Sequence, residues 1–368
     1  MPQLGRGRTG RGAHMTAVNI RWQLFPLTSR HVNGKEWLDI QHMLGLASNT
    51  VEAYGRGLEQ FLRWCEANDV AASAATRPNI ASYVAHLRTL PGARKSVRDA
   101  AQSTSGLSSA TLHQRLTAIR LFFDYLVEEG VRTNNPVGRG RFVPNRPFSP
   151  KRDRGLIRRH KSLPWIPSDE EWHRFLLCAK DEPIRNRCML AIAYDAALRR
   201  EELCAIETRD IDPAHRLILI RGETSKSNRD RIVPYSETAG VLFAAYLEHR
   251  RRVARDRGRL FLSESRRNYG EPITLWTWSK VIRRIAIAAD LDKFSTHTLR
   301  HLCLTDLARA GWDIHEIAQL AGHRNLASTQ QYIHLSGRDL SRKLAGSMEQ
   351  IHAWRTRMLV ESSPERDQ

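Results

Sequence analysis

Tyr332 is the first residue whose type and surroundings suggest chemistry, because it lies in a polar segment between two histidines. The segment LAGHRNLASTQQYIH places His323 nine positions before the tyrosine and His334 two positions after it. A phenol has a pKa of about 10 and becomes a useful nucleophile near neutral pH only if a base takes its proton or cations favour the phenolate. A tyrosine taken alone is more often a packed aromatic residue, so the assignment depends on what else converges on Tyr332.

Two segments upstream carry side chains that could bind a phosphate. HTLRH places His297 and Arg300 three positions apart at the start of a predicted helix, where they share a face beside free N–H groups and the positive end of the helix dipole. ALRREEL places Arg199 directly after an apolar helix end, and Glu202 could pair with an arginine and hold its guanidinium in place. The plainer alternatives are a capped surface helix and an intrahelical ion pair.

Lys226 lies at the predicted tip of a hairpin between the strands RLILI and RIVPY. An ammonium group on such a loop can reach into a DNA groove and donate a proton, although most loop lysines have no such role. The sequence has no GxxxxGKS or GxxxxGKT loop, no HExxH and no obvious carboxylate cluster for Mg²⁺, so it predicts neither a cofactor nor a metal site. If the protein cuts nucleic acid, its own cations must stabilise the phosphate charge.

The composition favours a nucleic acid as the partner. The 368 residues carry a formal net charge of +19, with 41% hydrophobic and 26% charged residues, which is a folded globular balance. Such basic charge attracts polyanions; a ribosome-associated protein or a merely arginine-rich composition are the alternatives.

There is no apolar run long enough to span a membrane, and five scattered cysteines fit reduced core positions, so we expect a cytoplasmic protein. The sequence leaves open whether Met1 or Met15 is the start.

Hydrophobic periodicity predicts an all-helical first unit at residues 36–137, after a basic, irregular tail at residues 1–35. The predicted helix starts and stops are Ser48, Pro78, Ser108 and Gly130. The polar stretch 91–106 indicates a loop.

A basic linker is predicted at residues 138–166. Between residues 139 and 161 there are nine Lys or Arg residues and one acidic residue, and three prolines in that stretch exclude a helix. The charge density favours contact with DNA phosphates, and a solvated tether is the alternative. The DNA-binding candidates in the linker are Arg139, Arg141, Arg146, Lys151, Arg152, Arg154, Arg158, Arg159 and Lys161.

The second unit, residues 167–358, is predicted to be mainly helical with one small antiparallel sheet, before a tail at residues 359–368. Ser168 and Glu171 fit a capping box at its first helix. Further helices are predicted near residues 184–197, 237–252, 274–289, 297–310, 313–321 and 338–356. The last of these could dock on a neighbouring protomer or pack on its own domain. The fold class is therefore mainly α, with an α+β second unit.

In this order and spacing, the segments resemble the tyrosine recombinase, or phage integrase, family. ALRREEL is similar to its first arginine box, SKSNRDRIVP to its lysine-bearing hairpin, HTLRH to its HxxR box and LAGHRNLASTQQYIH to its final histidine and tyrosine box. NTVEAYGRGLEQFLRW and TNNP are similar to the family's core-binding domain, so the resemblance spans residues 36–350 and implies an N-terminal SAM-like DNA-binding domain. The counterparts of the active-site residues are Arg199, Lys226, His297, Arg300, His323 and Tyr332, with Glu202 in support.

The chain departs from the family pattern in its first box. Ala197 stands where the family often has glycine, and Arg200 adds a second candidate arginine. The alignment with Leu198 and Glu202 favours Arg199.

The resemblance implies that Lys226 protonates the departing 5′-oxygen of DNA. Ser225 and Ser227 flank this lysine where the family usually has a Gly-Lys-Gly tip, so Arg229 is the alternative cation.

The resemblance also implies metal-free and ATP-independent transesterification. Tyr332 would attack a phosphodiester and form a 3′-phosphotyrosine bond, while Arg199 and Arg300 clamp the non-bridging oxygens. His323 would donate a further hydrogen bond, and His297 would assist removal of the phenol proton.

The family implies four protomers that exchange strands on two double-stranded DNA sites through a Holliday junction, in a bacterial nucleoid. We expect a recombinase of a mobile element, either transposon or phage, or of the Xer type. A type IB topoisomerase or telomere resolvase would use the same chemistry, and a DNA-binding regulator without catalysis is the alternative from another class.

Overall fold

The computed structural model describes residues 20–90, 106–138, 164–226, 228–333 and 346, with only the backbone described at Ile333. Two compact units divide the chain between residues 162 and 163, inside the predicted linker. The nine basic linker candidates, most of the predicted 91–106 loop and all but one residue of the predicted 338–356 helix lie outside the described residues.

The first unit is built from five helices around an apolar core. They are α1 (Pro26–Arg30), α2 (Val32–Met43), α3 (Ser48–Ala67), α4 (Arg77–Thr89) and α5 (Ser109–Glu128). The two longest helices, α3 and α5, pack against each other, with Phe61 and Phe123 buried between them. Ser108 caps α5 as predicted, and Pro78 lies in the first turn of α4.

Residues 20–35 belong to this unit, which corrects the irregular tail predicted for residues 1–35. Trp22–Leu24 forms a 3₁₀ turn, and α1 and the start of α2 follow it. Phe25 is fully buried against α3 at Gly55, where an added Cβ atom would lie 2.9 Å from the phenyl ring. The missing side chain of Gly55 therefore makes the space that holds this segment on the core.

A carboxylate distant in sequence caps α1. Glu59 of α3 is buried and accepts hydrogen bonds from the backbone N–H groups of Leu27, at 3.2 Å, and Thr28, at 2.9 Å. Negative charge at a helix N-terminus satisfies its unpaired donors and its dipole. No local sequence pattern announces this cap, which is why the segment looks irregular.

The second unit is mainly helical with one small sheet, as predicted. Its helices are α6 (Asp169–Ala179), α7 (Ile184–Asp195), α8 (Arg200–Ala205), α9 (Glu237–Val253), α10 (Leu275–Ala288), α11 (Thr296–Arg309), α12 (Ile314–Ala321) and α13 (Gln330–Ile333). The strands are β1 (Ile211–Asp212), β2 (Leu217–Ile220) and β3 (Arg231–Pro234), in antiparallel order β1-β2-β3. The hairpin of β2 and β3 confirms the predicted pair, and β1 is an addition.

The core of the second unit anchors the segments that carry chemistry. Helix α7 packs against α9 and α11. Ile218 and Val233, paired across β2 and β3, turn their side chains into the same core. Leu299 and Leu304 fix α11 from its first turn onward. Apolar burial thus holds the hairpin and α11 in place, and their polar residues need not do so.

Two smaller predictions, a capping box and free cysteines, are confirmed. Ser168 and Glu171 form a capping box at α6. All five cysteines are free, and four of them are buried. Within the described ranges, no helix is long and apolar enough to cross a membrane.

Candidate active site

A tight turn between α7 and α8 positions Arg199. Ala197, in this turn, is fully buried and has a φ of 47°, a left-handed conformation that is costly for a residue with a Cβ atom. Arg199 then caps α8, donating from its backbone N–H to Oε2 of Glu202 at 2.9 Å and from Nη1 to Oε1 at 2.8 Å. Glu202 therefore orients the arginine, as predicted.

A second arginine, which was not predicted from the sequence, shares Glu202. Arg231, at the start of β3, donates from Nη1 and Nη2 to the two carboxylate oxygens at 3.1 and 2.7 Å, and from Nε to the carbonyl of Leu320 at 3.0 Å. Burial alone would raise the pKa of Glu202, but Arg231 and Arg199 outweigh it and lower that pKa to about 2. One charged carboxylate thus joins the first arginine box, the hairpin and the end of α12.

Arg300 lies at the centre of the cluster. It projects from the first turn of α11, is 4% exposed, and donates from Nη1 to the carbonyl of Ala197 and from Nη2 to that of Ala321, both at 2.6 Å. Nη2 also lies 2.9 Å from Nε2 of His323. Desolvation, with the nearby charge of Arg199, lowers the pKa of Arg300 to about 10, so the guanidinium stays charged at neutral pH.

His323 follows the left-handed glycine that ends α12, as predicted from Gly322. Because a guanidinium can only donate, Nε2 of His323 accepts from Arg300, and Nδ1–H donates to Oγ1 of Thr329 at 2.9 Å. Desolvation and the charge of Arg300 lower the pKa of His323 to about 4, so the imidazole is neutral at neutral pH. In this arrangement Nε2 of His323 accepts and carries no proton, so it can donate to a phosphate only after Arg300 releases it and the ring proton moves to Nε2.

Tyr332, on α13, is buried beside these residues. Its side chain is 3% exposed, and its ring is nearly parallel to that of His323 with the centroids 6.3 Å apart. The phenol oxygen lies 2.7 Å from Nδ1 of His301. Burial raises the pKa of Tyr332, while the charges of Arg300 and Arg199 oppose the rise. The phenol is therefore protonated at neutral pH and needs a proton acceptor before it can attack.

His297 is near the cluster but does not touch the phenol. Its side chain is exposed at the first turn of α11, and within the described part of the chain no hydrogen bond joins it to Tyr332. Desolvation lowers the pKa of His297, Glu201 opposes this, and the charges of Arg200, Arg300 and Arg199 add to it. The imidazole of His297 is therefore close enough to Arg199, Arg200 and Arg300 for their charges to act on it.

Lys226 is exposed on the loop between β2 and β3. Among the described residues it makes no hydrogen bond or ion pair with the other five candidates. The alternative cation, Arg229, is exposed on the same loop. The loop is braced at its base by a hydrogen bond from the backbone N–H of Gly222 to Oδ1 of Asp230, at 2.6 Å. The assignment of Lys226 therefore remains a prediction from the sequence.

Arg200 points elsewhere. Its Nε and Nη2 donate to Glu201 at 3.3 and 2.8 Å, and its Nη1 donates to Ser279 of α10 at 3.1 Å. This orientation supports Arg199, which shares Glu202 with Arg231, as the arginine of the cluster.

The structure thus brings Arg199, Arg300, His323 and Tyr332 into one connected network and adds Arg231 and His301. The signal for His301 was present in HTLRH, since it lies four positions after His297 and therefore on the same helix face. Arg231 carried no such signal, because its partner Glu202 lies 29 positions away.

Comparison with known proteins agrees with this architecture. Residues 168–338 match the phage integrase family, and residues 37–130 match the phage integrase N-terminal SAM-like domain. Tyrosine recombinase XerD of Caulobacter vibrioides is 30% identical over 325 residues, which cover 84% of this chain and 94% of that protein. Tyrosine recombinase XerC of Herpetosiphon aurantiacus is 28% identical over 296 residues, covering 79% and 86%.

Two solved structures share the fold. The Tn1549 transposon integrase in complex with transposon right end DNA has a TM-score of 0.60 at 16% identity, covering 86% of this chain and 98% of that one. XerH site-specific recombinase bound to palindromic difH substrate also has a TM-score of 0.60, at 19% identity, covering 81% and 79%.

Fold and sequence together define a DNA breaking-rejoining enzyme of the kind that uses a tyrosine. The chain belongs to the phage integrase family, the tyrosine site-specific recombinases.

Proposed function

We propose that this protein cuts and rejoins double-stranded DNA at a specific site through a covalent bond between Tyr332 and a 3′-phosphate. The observation that carries the proposal is the connected network in which Tyr332 lies beside His323, which Arg300 holds by a hydrogen bond. Arg199, oriented by Glu202, adds positive charge that acts on the same phenol. Attack on a phosphodiester requires a nucleophile and cations that stabilise the developing charge, and this cluster supplies both.

In the proposed reaction, the phenol oxygen of Tyr332 forms a bond to phosphorus while the bond from phosphorus to the 5′-oxygen breaks. Arg199 and Arg300 bind the non-bridging oxygens. Once Arg300 has turned towards the phosphate, the ring proton of His323 moves to Nε2, which donates to the same oxygens while the Thr329 hydroxyl donates to Nδ1. His297, exposed at the same helix end, contacts the phosphate. Lys226 supplies the proton for the departing 5′-oxygen. The phosphotyrosine bond keeps the energy of the broken bond, so a 5′-hydroxyl can reverse the step without ATP.

The experiment that tests this proposal must first find the DNA site. Randomly nicked genomic DNA from the cells that encode the gene is incubated with the purified chain, and fragments bound covalently are recovered under denaturing conditions and sequenced. The wild-type chain should yield one recurring sequence. The Tyr332→Phe variant should bind the same DNA and yield no adduct, because it lacks only the phenol oxygen. An adduct formed by that variant would overturn the assignment of the nucleophile.

We also propose that four protomers act on two DNA sites and exchange strands through a Holliday junction. The XerH and Tn1549 integrase structures contain DNA substrates of those proteins, and the net charge of +19 suits a DNA partner here. A recombinase should convert two copies of the recovered site into junctions and recombinant products. A type IB topoisomerase or telomere resolvase would form the adduct without exchanging partners, and a regulator without catalysis would form none.

The proposed biological role is recombination for a mobile element or of the Xer type. The XerC and XerD relatives favour the second, and the fold shared with a transposon integrase fits the first. The recovered DNA sequence distinguishes the two roles, because a mobile-element enzyme acts at the ends of its own element and a Xer-type enzyme at one chromosomal site.

A further inference from the structure

His301 is the group in direct contact with the phenol oxygen of Tyr332. Nδ1 of His301 lies 2.7 Å from that oxygen, and the two ring centroids are 5.6 Å apart. His301 lies in the second turn of α11, which packs against α13. The contact therefore joins two packed helices and does not depend on a flexible loop.

The surroundings of the phenol leave few routes for its proton. Tyr332 is 3% exposed, so bulk water has little access to the oxygen. The other imidazole beside it, that of His323, has both ring nitrogens engaged, one by Arg300 and one by Thr329. Of the two imidazoles that pack on Tyr332, His301 is the one whose nitrogen faces the hydroxyl.

The direction of this hydrogen bond follows from the protonation of its two partners. Burial keeps the phenol of Tyr332 protonated at neutral pH, so it has one O–H to donate. Nδ1 of His301 accepts that hydrogen bond when the single proton of the neutral imidazole lies on Nε2. Burial and the charges of His297 and Arg300 lower the pKa of His301 to about 4, so at neutral pH the ring is in the form that can accept.

We propose that His301 is a catalytic residue that accepts the proton of Tyr332 at Nδ1 as the phenol oxygen attacks DNA, and returns it when the strand is rejoined. The proposal rests on the proposed function of Tyr332 as the nucleophile. In the forward step the O–H pair of electrons forms the new bond to phosphorus, the proton moves to Nδ1, and the 5′-oxygen leaves with a proton from Lys226. In the reverse step the 5′-hydroxyl gives its proton back to Lys226, and His301 reprotonates the departing phenol.

This assignment replaces the role that the family resemblance implied for His297. Both histidines lie on one face of α11, but it is the second that touches the phenol. His297 faces solvent, and in the proposed reaction it contacts the phosphate. The two histidines of HTLRH thus act on different atoms of one reaction.

The test compares variants at His301 on a nicked duplex that carries the recovered site, with single-turnover formation of the covalent adduct as the readout. His301→Ala removes the acceptor, and His301→Asn keeps a hydrogen-bonding atom near the position of Nδ1 but cannot be protonated at neutral pH. Both should lose about 10²–10⁴-fold in cleavage rate, the usual contribution of a general base. DNA affinity and thermal melting should stay at the wild-type values. His315→Ala, an exposed histidine on α12, is the matched control and should cleave normally.

A second substrate separates the two proton transfers. Sulfur in place of the bridging 5′-oxygen leaves without a proton, because a thiolate is stable near neutral pH. This substrate should restore cleavage by Lys226→Ala, and it should not restore cleavage by His301→Ala, whose defect lies on the attacking side.

Three results would overturn the proposal for His301. Cleavage by His301→Ala within about threefold of wild type would exclude a general base. Wild-type cleavage by His301→Asn would reduce the residue to a hydrogen-bonding support. Rescue of His301→Ala by the sulfur substrate would move it to the leaving-group side. In each case a wild-type adduct that is absent from Tyr332→Phe would leave the proposed function intact.

Discussion

Glu202 is the residue on which the arrangement of the cluster depends. It lies between Arg199 and Arg231 and is buried with its charge intact. An isolated buried carboxylate would be costly, but two guanidinium partners offset the lost hydration. The sequence predicts that Glu202 supports one arginine, and the structure shows that it supports two.

We predict that Glu202→Gln destabilises the protein and changes its response to acid. Breaking a buried ion pair typically costs about 3–5 kcal/mol. The pKa of Glu202 is lowered to about 2, so its contribution to stability is present in full above the ordinary carboxylate value of 4.5 and is lost as the pH falls towards 2. The difference in unfolding free energy between wild type and variant should therefore be large at pH 7 and should shrink below pH 4.5, as measured by urea unfolding.

The matched control for this change is Glu248→Gln. Glu248 pairs with Arg252 on the surface of α9, and both side chains are exposed. Such pairs contribute about 0–1 kcal/mol. Equal destabilisation by the two substitutions would contradict the role assigned to Glu202.

At the scale of elements, the turn between α7 and α8 holds two parts of the site in register. The carbonyl of Ala197 accepts from Arg300 of α11, and the chain continues directly into Arg199. The left-handed φ of Ala197 turns that carbonyl towards α11. The strain is stored where the first arginine box meets the HxxR box.

We predict that Ala197→Gly is better tolerated than Ala196→Gly. Both alanines are fully buried, so each substitution loses one packed methyl group. Ala196 has an ordinary φ of −91°, whereas Ala197 is at 47°, where glycine relieves strain. The two variants should differ by about 1–2 kcal/mol in unfolding free energy, in favour of Ala197→Gly. Equal unfolding free energies for the two variants, or a lower one for Ala197→Gly, would show that the turn is not strained.

The sequence predicted the elements of the second unit well because their signals are local. Capping residues at Ser168 and Gly322 and the apolar alternation of the hairpin each lie within a few positions of the element they define. Contacts across long separations were beyond its reach. Phe25 packs against Gly55, and Glu59 caps α1 from another helix. Because neither contact has a local sequence signal, residues 20–35 looked irregular. The sequence places His301 on the same helix face as His297, but the contact of His301 with Tyr332 spans 31 positions and carries no local signal.

At the scale of the whole molecule, charge is the dominant property. The net charge is +19, and nine Lys or Arg residues fall between residues 139 and 161. Cations that contact phosphates release counterions on binding, so affinity falls as salt rises. The sequence predicts that the linker makes such contacts, and its residues lie outside the described ranges.

We predict that replacing Lys151, Arg152 and Arg154 together by glutamine weakens DNA binding and flattens its salt dependence. The slope of log affinity against log salt should fall by about 0.9 for each cation that contacts a phosphate. Binding titrations on a fixed duplex at several salt concentrations measure this slope. Lys151→Arg keeps the charge and should leave the slope unchanged. An unaltered slope in the triple variant would identify the linker as a solvated tether.

The central claim is that the oxygen of Tyr332 becomes bonded to the 3′-phosphate of cut DNA, and peptide mapping of the trapped adduct tests it most directly. The adduct is digested with nuclease and protease, and tandem mass spectrometry locates the nucleotide on the peptide. We expect a single modified peptide that carries the nucleotide on Tyr332 through a 3′-phosphate, together with a free 5′-hydroxyl on the released strand. A nucleotide attached to any other residue, or one attached through its 5′-phosphate, would contradict the account.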